Sequence, residues 1–448
     1  MLQFIRAFAR KQIENRPNLL RVIENIGWLF FDKVLRMGVG LILGVSIARY
    51  LGPRQFGMLS FANAFISVFT VVAGLGLQGI VVRDILINNT KKEETLGTAA
   101  VLQIISGFAV YGIILFTIVF LRQQDSDLKL IIAILGSVVL FKSCDVAVYW
   151  FEAEVLSKHI LAVQNVSFLF SAAVKIFLIT KNEPLIAFAW VTMAEVMVVG
   201  VLQVAILRSH GIVVRQLKFN PSRAKRLMMD SWPLLLSGIA VTFNSKMDQI
   251  MLGQIVGSEV LGIYSVAVRI SEVWYTVPII IVSSVFPAVY QSKKKSNFQY
   301  VRRMQHLYNI LVYITAGVAI ITTFASTLVI NTMFGETFEK SGNILVIHIW
   351  TAVFVSLGVS SGKWLIAENL QLLALKRNLY GAAFNFGLNW LLIPRFQAVG
   401  AAIASLVSNA IAYYVMDAFD RRTKILFNQK TRALFPFLML FNKTSYSK

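Results

Sequence analysis

The sequence predicts an all-α integral membrane protein with about twelve transmembrane helices in two repeated halves. Three observations carry this expectation. Hydrophobic residues make up 57% of the 448 and charged residues 15%, with a mean hydropathy of +0.68. A soluble chain would carry roughly a quarter charged residues. The apolar residues fall in runs of about 20, the length that crosses a hydrocarbon core. A segment from the start of the chain also recurs, without a gap, just past its midpoint.

The spans are expected to start near Trp28, Phe56, Leu96, Leu128, His159 and Pro184, then near Trp232, Val260, Tyr308, Asn343, Asn378 and Val399. This divides the chain into an interfacial segment 1–27, a first six-helix half 28–207, a basic linker 208–231, a second half 232–420 and a basic tail 421–448. Connections other than Arg208–Ser231 and Tyr290–His306 are short, so no extramembrane domain fits between spans. Met1–Arg16 places Leu2, Phe4, Ile5, Phe8 and Ile13 at helical spacing, interrupted by Arg6, Arg10 and Lys11. That pattern reads as an interfacial amphipathic helix and not a cleaved signal peptide. Ile425–Lys443 is basic and apolar but broken by charge and Pro436, so it is expected on the membrane surface.

The charge is one-sided, 43 Lys+Arg against 22 Asp+Glu. In a soluble protein this surplus would suggest nucleic-acid binding. Sorting it by span gives a topological cause instead. With the N-terminus inside, 29 basic residues fall on the cytoplasmic side and seven on the other. Both termini are therefore expected in the cytoplasm, and the nucleic-acid reading loses its support. Cys144 is the sole cysteine, which excludes an intrachain disulfide. The four His are scattered, and no metal or cofactor is expected.

The repeat aligns Leu51–Ala62 (LGPRQFGMLSFA) with Val256–Ala267 (VGSEVLGIYSVA). Gly52 matches Gly257, Gly57 matches Gly262, Ser60 matches Ser265 and Ala62 matches Ala267. Each copy joins the first span of a half to its second, so both halves enter the membrane in the same sense. The expected relation is a parallel repeat about a pseudo-twofold along the membrane normal.

Inside the spans lie seven cations, Lys33, Arg36, Lys142, Lys175, Lys246, Arg269 and Lys363, against five anions, Asp32, Asp145, Glu195, Asp248 and Glu272. An ionised group at such depth costs several kcal/mol unless it faces water or a partner. Asp32 and Arg36, Lys142 and Asp145, and Arg269 and Glu272 each share a helix face. Lys246 and Asp248, two residues apart, do not. Lys33, Lys175 and Lys363 lie near span ends, where snorkelling to the interface is expected. Lys142–Asp145 reads equally as a structural pair or a cavity pair. Gly38, Gly40 and Gly44 in the first span suit close helix packing.

At the repeat the chain resembles a known family. Ile47–Ser60 (IARYLGPRQFGMLS) is similar to a signature of Wzx-type oligosaccharide flippases, members of the multidrug/oligosaccharidyl-lipid/polysaccharide exporter superfamily. Gly74–Gly79 (GLGLQG) followed by Arg83, Asp248–Gly253 (DQIMLG) and Gly262–Ala267 resemble further motifs of that family, although Ala73-Gly74 stands where an acidic residue is often found. The resemblance implies two six-helix bundles around a central cavity, working by alternating access. It also implies export of an undecaprenyl-pyrophosphate-linked repeat unit for O-antigen, capsule or related polysaccharide at a bacterial inner membrane. A polymerase and a chain-length regulator would be pathway partners, and the chain itself would not be an enzyme. On this reading Arg36, Lys142, Lys246 and Arg269 are the candidate head-group contacts, since Arg and Lys form charge-assisted hydrogen bonds to phosphate. Asp32, Asp145, Glu195, Asp248 and Glu272 are the candidate charge partners or coupling groups. Two rivals stand beside it. A polysaccharide polymerase would need a catalytic constellation that does not appear. A cation-coupled drug exporter of the same superfamily would favour an acidic cavity.

Overall fold

A computed structural model describes residues 17–120, 125–294 and 296–435. The amphipathic N-terminal segment expected over Met1–Arg16, and the tail beyond Phe435, lie outside the described residues. All regular structure among the described residues is helical. The long helices are α1 (Pro17–Gly74), α3 (Lys92–Phe120), α6 (Ser157–Thr180), α7 (Leu185–Ser209), α8 (Pro221–Ile255), α9 (Ser258–Gln291), α10 (Asn297–Phe334), α12 (Thr351–Ala367) and α13 (Gln371–Tyr413). Shorter helices are α2 (Leu77–Ile87), α4 (Ser126–Gly136), α5 (Val146–Ala153), α11 (Ser341–His348) and α14 (Lys424–Leu434).

Nine stretches among the described residues are long and apolar enough to cross a membrane. They reconcile with twelve spans. The stretch Phe30–Ile87 is broken at Gly52, whose φ of 68° ends one helix before Pro53 starts the next. Gln371–Ala418 is broken at Gln397, where φ is 49°. Each therefore holds two spans. The twelfth is α8, whose Lys246, Asp248 and basic start make it too polar to register by hydropathy. Bulky apolar side chains stand exposed along the helices, Phe170 at 72% and Phe324 at 88%. In water these would be a liability, whereas in a bilayer they face lipid.

The described chain forms two compact units. The first takes the described residues up to Leu43 together with Phe69–Leu235; the second takes Gly44–Val68 and the chain from Leu236 onward. Helices α1 and α8 thus each contribute to both. The core of the first unit gathers Leu77, Val81, Leu96, Phe151, Leu207 and Leu227, all fully or almost fully buried. Here the linker folds back on α3. Arg223 donates to Glu94 at 3.0 Å, and Asn220 caps α8 while donating to the same carboxylate at 2.8 Å. The core of the second unit gathers Val282, Tyr308, Leu311, Leu357, Leu426 and Ala433.

Helix α14 overlaps Ile425–Lys443, the stretch expected on the membrane surface. Its described part seats Leu426, Gln429, Lys430 and Ala433 in the second unit, and the rest of the stretch lies outside the described residues. Gln429 donates to the Val301 carbonyl at 2.8 Å, and Gln305 donates to the Gln429 carbonyl at 3.0 Å.

Candidate functional site

In the first unit six of the seven intramembrane charges form three pairs, and Lys33 is exposed. Arg36 donates to Asp32 at 2.8 Å, one turn apart on α1 as the spacing predicts, and its guanidinium lies 5.2 Å from the Phe168 ring centre on α6. Lys142 pairs with Asp145 inside Ser137–Asp145, a 3-10 segment that interrupts the fourth span. Nine residues is long for this helix type, and such stretches mark hinges or strained sites. The stem of Lys142 passes the end of α1, where a Cβ on Gly74 would sit 3.4 Å from its Cε. Lys175, expected to snorkel, instead reaches from α6 to Glu195 on α7 at 3.3 Å. Both side chains are largely buried, so each neutralises a charge that lipid would not tolerate.

In the second unit Lys246 on α8 donates to Glu272 on α9 at 2.9 Å. Arg269, one turn before Glu272, lies against α1 at Gly44. Asp248, two residues past Lys246, points elsewhere, as the spacing required. It is 2% exposed and accepts from the Tyr264 hydroxyl, from Ser405 Oγ at 2.9 Å and from the Gln249 amide at 2.7 Å. Three donors stabilise a carboxylate that burial would otherwise penalise.

Around it runs a polar network that sequence reasoning missed. Asn244 donates to Asn409 at 3.4 Å, Asn385 to Ser408 at 3.2 Å and Asn389 to Asn385 at 2.9 Å. Among the described residues, the Oδ1 atoms of Asn244 and Asn389 are buried without a hydrogen-bond donor. His348 packs edge-on to Tyr264, ring centres 5.9 Å apart. A signal for this network exists in the sequence. Asn385 and Asn389 are four apart in an apolar run, as are Ser405 and Asn409, and such stripes inside spans mark buried polar faces.

These placements change the charge balance. Lys33 and Lys363 are exposed, and the five remaining cations face five carboxylates. The positive surplus counted along the spans therefore rests on two residues at the surface. A further cluster lies at another place in the second unit. Lys430, fully buried, donates to Asp417 at 2.5 Å and to the Tyr413 carbonyl at 2.7 Å. Arg377 stands 4.0 Å from Asp417 and donates to Ser361 at 2.7 Å. No group of three or more His, Cys, Asp or Glu suited to a metal occurs among the described residues.

Known proteins share this architecture. The lipid II flippase MurJ, in an inward closed conformation, superposes with a TM-score of 0.72 at 13% identity, over 95% of this chain and 94% of that one. A multidrug resistance MATE family transporter of the MOP superfamily, in its inward-facing conformation, gives 0.69 at 12% identity, over 92% and 96%. The chain therefore has the all-α membrane transporter fold of that superfamily, with two six-helix halves. Among sequence relatives, the "probable low-salt glycan biosynthesis flippase Agl15" of Haloferax volcanii is 24% identical over 395 residues, 86% of this chain and 80% of that protein. The "probable flippase AglR" of the same organism is 25% identical over 403 residues, 85% and 79%. The "capsular polysaccharide biosynthesis protein CapF" of Staphylococcus aureus is 18% identical over 406 residues, 90% and 100%. The profile of the family described as "polysaccharide biosynthesis protein" matches residues 22–293, more than half of the sequence, and this multi-pass membrane chain belongs to that family.

Proposed function

We propose that this protein is a flippase that carries an undecaprenyl-pyrophosphate-linked oligosaccharide from the cytoplasmic to the periplasmic leaflet of a bacterial inner membrane, by alternating access. The glycan serves O-antigen, capsule or exopolysaccharide synthesis, and both termini are cytoplasmic. Family membership and the flippase names of two relatives support the coarse reading.

The observation that carries it is the set of cations held inside span helices by carboxylate partners: Arg36 by Asp32, Lys142 by Asp145 and Lys246 by Glu272. With Arg269 they are the proposed head-group contacts. An ion pair keeps its cation charged and oriented in a poorly solvated place. An arriving pyrophosphate competes with the carboxylate for the same donors. Because the resting charges balance, taking in the anion is favourable only if a carboxylate is neutralised with it. That requirement gives coupling a physical basis. Glu272, and the separate Asp248 with its hydroxyl donors, are the carboxylates proposed to take a proton or cation. The polyprenyl tail stays in lipid while the head group crosses.

A drug exporter on the same fold would need free acidic groups for cationic cargo. Asp32, Asp145, Glu195 and Glu272 each already hold a basic partner, which weakens that reading.

Complementation tests the proposal. A flippase-null strain that makes the matched repeat unit regains surface glycan with the wild-type chain. Failure to restore it there returns the polymerase and drug-exporter readings.

A further inference from the structure

Of the three glycines in the first span, one has a neighbour where its side chain would be. A Cβ built on Gly38 or Gly40 meets nothing within 4 Å. A Cβ on Gly44 falls inside the guanidinium of Arg269, overlapping Cζ, Nε and Nη2 alike. Gly44 is buried, and both residues belong to the second unit. Glycine weakens a helix relative to alanine, so a glycine kept mid-helix suggests a packing cause. Here the cause is that the planar guanidinium lies flush on the α1 backbone in the space of the missing methyl.

That seat decides what Arg269 can do. A guanidinium carries five donors in a fixed planar fork, so holding one face and edge of it sets where the others aim. Lys246, the other long cation of this unit at this level, is held differently, by Glu272. The seat on Gly44 thus adds a constraint of shape to the charge of Glu272, which both cations feel. A fork fixed in direction suits a diphosphate, whose oxygens it meets in pairs, better than a lone point charge does.

We propose that Gly44 is a positioning residue that seats the Arg269 guanidinium for a diphosphate head group; this rests on the head-group role given to Arg269 above. Helix α9 supplies the charge and α1 supplies its direction. Ala at position 44 pushes the fork off the helix, so the preference for diphosphate over monophosphate falls while the rest of the carrier surface is untouched.

The test uses the full chain purified in detergent, with undecaprenyl pyrophosphate and undecaprenyl phosphate as probes. The variants are G44A, R269A, the double variant and G38A as control. First, thermal unfolding without probe is measured through the cycle. The seat predicts that G44A lowers the Tm in the wild-type background and has little effect once Arg269 is Ala. Equal shifts in both backgrounds overturn it. Second, affinities are compared. G44A is expected to weaken pyrophosphate binding by roughly tenfold and monophosphate binding by about twofold, with G38A unchanged and the double variant no worse than R269A. Additive losses, or G44A matching G38A, overturn the positioning role. If R269A binds pyrophosphate as wild type does, the head-group role of Arg269 falls and this inference with it, and the probe-free cycle still shows whether the seat exists. Should G44A fail to fold, the pair R269K and G44A/R269K replaces it. The slimmer ammonium leaves room for the methyl, so the two should bind alike, and a further loss from G44A in that background contradicts the seat.

Discussion

Gly57 and Gly262 meet face to face, and each occupies the place the other's helix would deny to a side chain. A Cβ on Gly57 would run into the Ser258 carbonyl and one on Gly262 into the Pro53 carbonyl, in each case the residue four before the opposite glycine. Both copies of the sequence repeat thus touch at equivalent positions within the second unit. Small residues allow this approach and Cα–H···O contacts then favour it. Either glycine replaced by Ala should cost about 1–3 kcal/mol, the range for overpacking. The two losses should be less than additive, because the first substitution already parts the helices. Thermal unfolding of both single variants and the double variant checks this, and full additivity would contradict the reciprocal contact.

Asp248 depends on its hydroxyl donors. Tyr264→Phe removes one of three donors from a carboxylate with 2% exposure, and a buried acceptor left short costs about 1–3 kcal/mol. Lower stability is expected in Tyr264→Phe, smaller in Asp248→Asn/Tyr264→Phe, where the charge to be satisfied is gone. An equal effect of Tyr264→Phe in both backgrounds would show that the hydroxyl serves another partner.

The fold was readable at the level of spans because a bilayer leaves helices few alternatives, and twelve stretches of the right length follow from hydropathy and turns. Even α8, too polar to register by hydropathy alone, covers the span expected to start near Trp232. What pairs across helices was not readable. Lys175 lies near a span end, which points to the interface, while its partner Glu195 sits on another helix, 20 residues on. Glu272 shares a helix face with Arg269, yet Lys246 takes it from 26 residues away. Lys430 counted as a topogenic charge although it is fully buried. Its helix did carry a warning. Leu426, Lys430 and Ala433 recur at four and three residues, which puts the lysine on the inner face.

The Lys430 cluster predicts a pH effect. Burial, with Arg377 nearby, pushes the Lys430 ammonium down to about 8, only partly offset by Asp417. An undocked lysine titrates near 10.4. Between these values the undocked state binds more protons, so docking of α14 strengthens as pH rises from about 8 toward 10. Asp417→Asn leaves two buried cations uncompensated and should weaken docking by about 3–5 kcal/mol. Protease resistance of residues 421–435 at pH 7 and pH 9, normalised to an unfolded reporter peptide, measures both effects. Equal protection at the two pH values would contradict the first.

Glu94 is one anchor of the linker, beside the Arg83–Asp230 pair. Glu94 accepts from Arg223 at 3.0 Å and from Asn220 at 2.8 Å, so Glu94→Gln removes the charge that strengthens both bonds. A loss of about 1–3 kcal/mol in linker docking is expected. Faster tryptic cleavage at Arg215 and Lys218 reports it, and unchanged cleavage would place the anchor elsewhere.

The most direct measurement is flipping itself, in proteoliposomes that hold the protein and an undecaprenyl-pyrophosphate-linked glycan in one leaflet. A glycan-binding probe added to the other side counts molecules that cross. Wild type should move the lipid, and Arg36→Ala, Arg269→Ala and Asp248→Asn should each slow it at least tenfold at equal incorporation. Wild-type rates from all three variants would contradict the proposed cationic and coupling site. Vesicles with wild type that match empty ones would contradict the flippase itself.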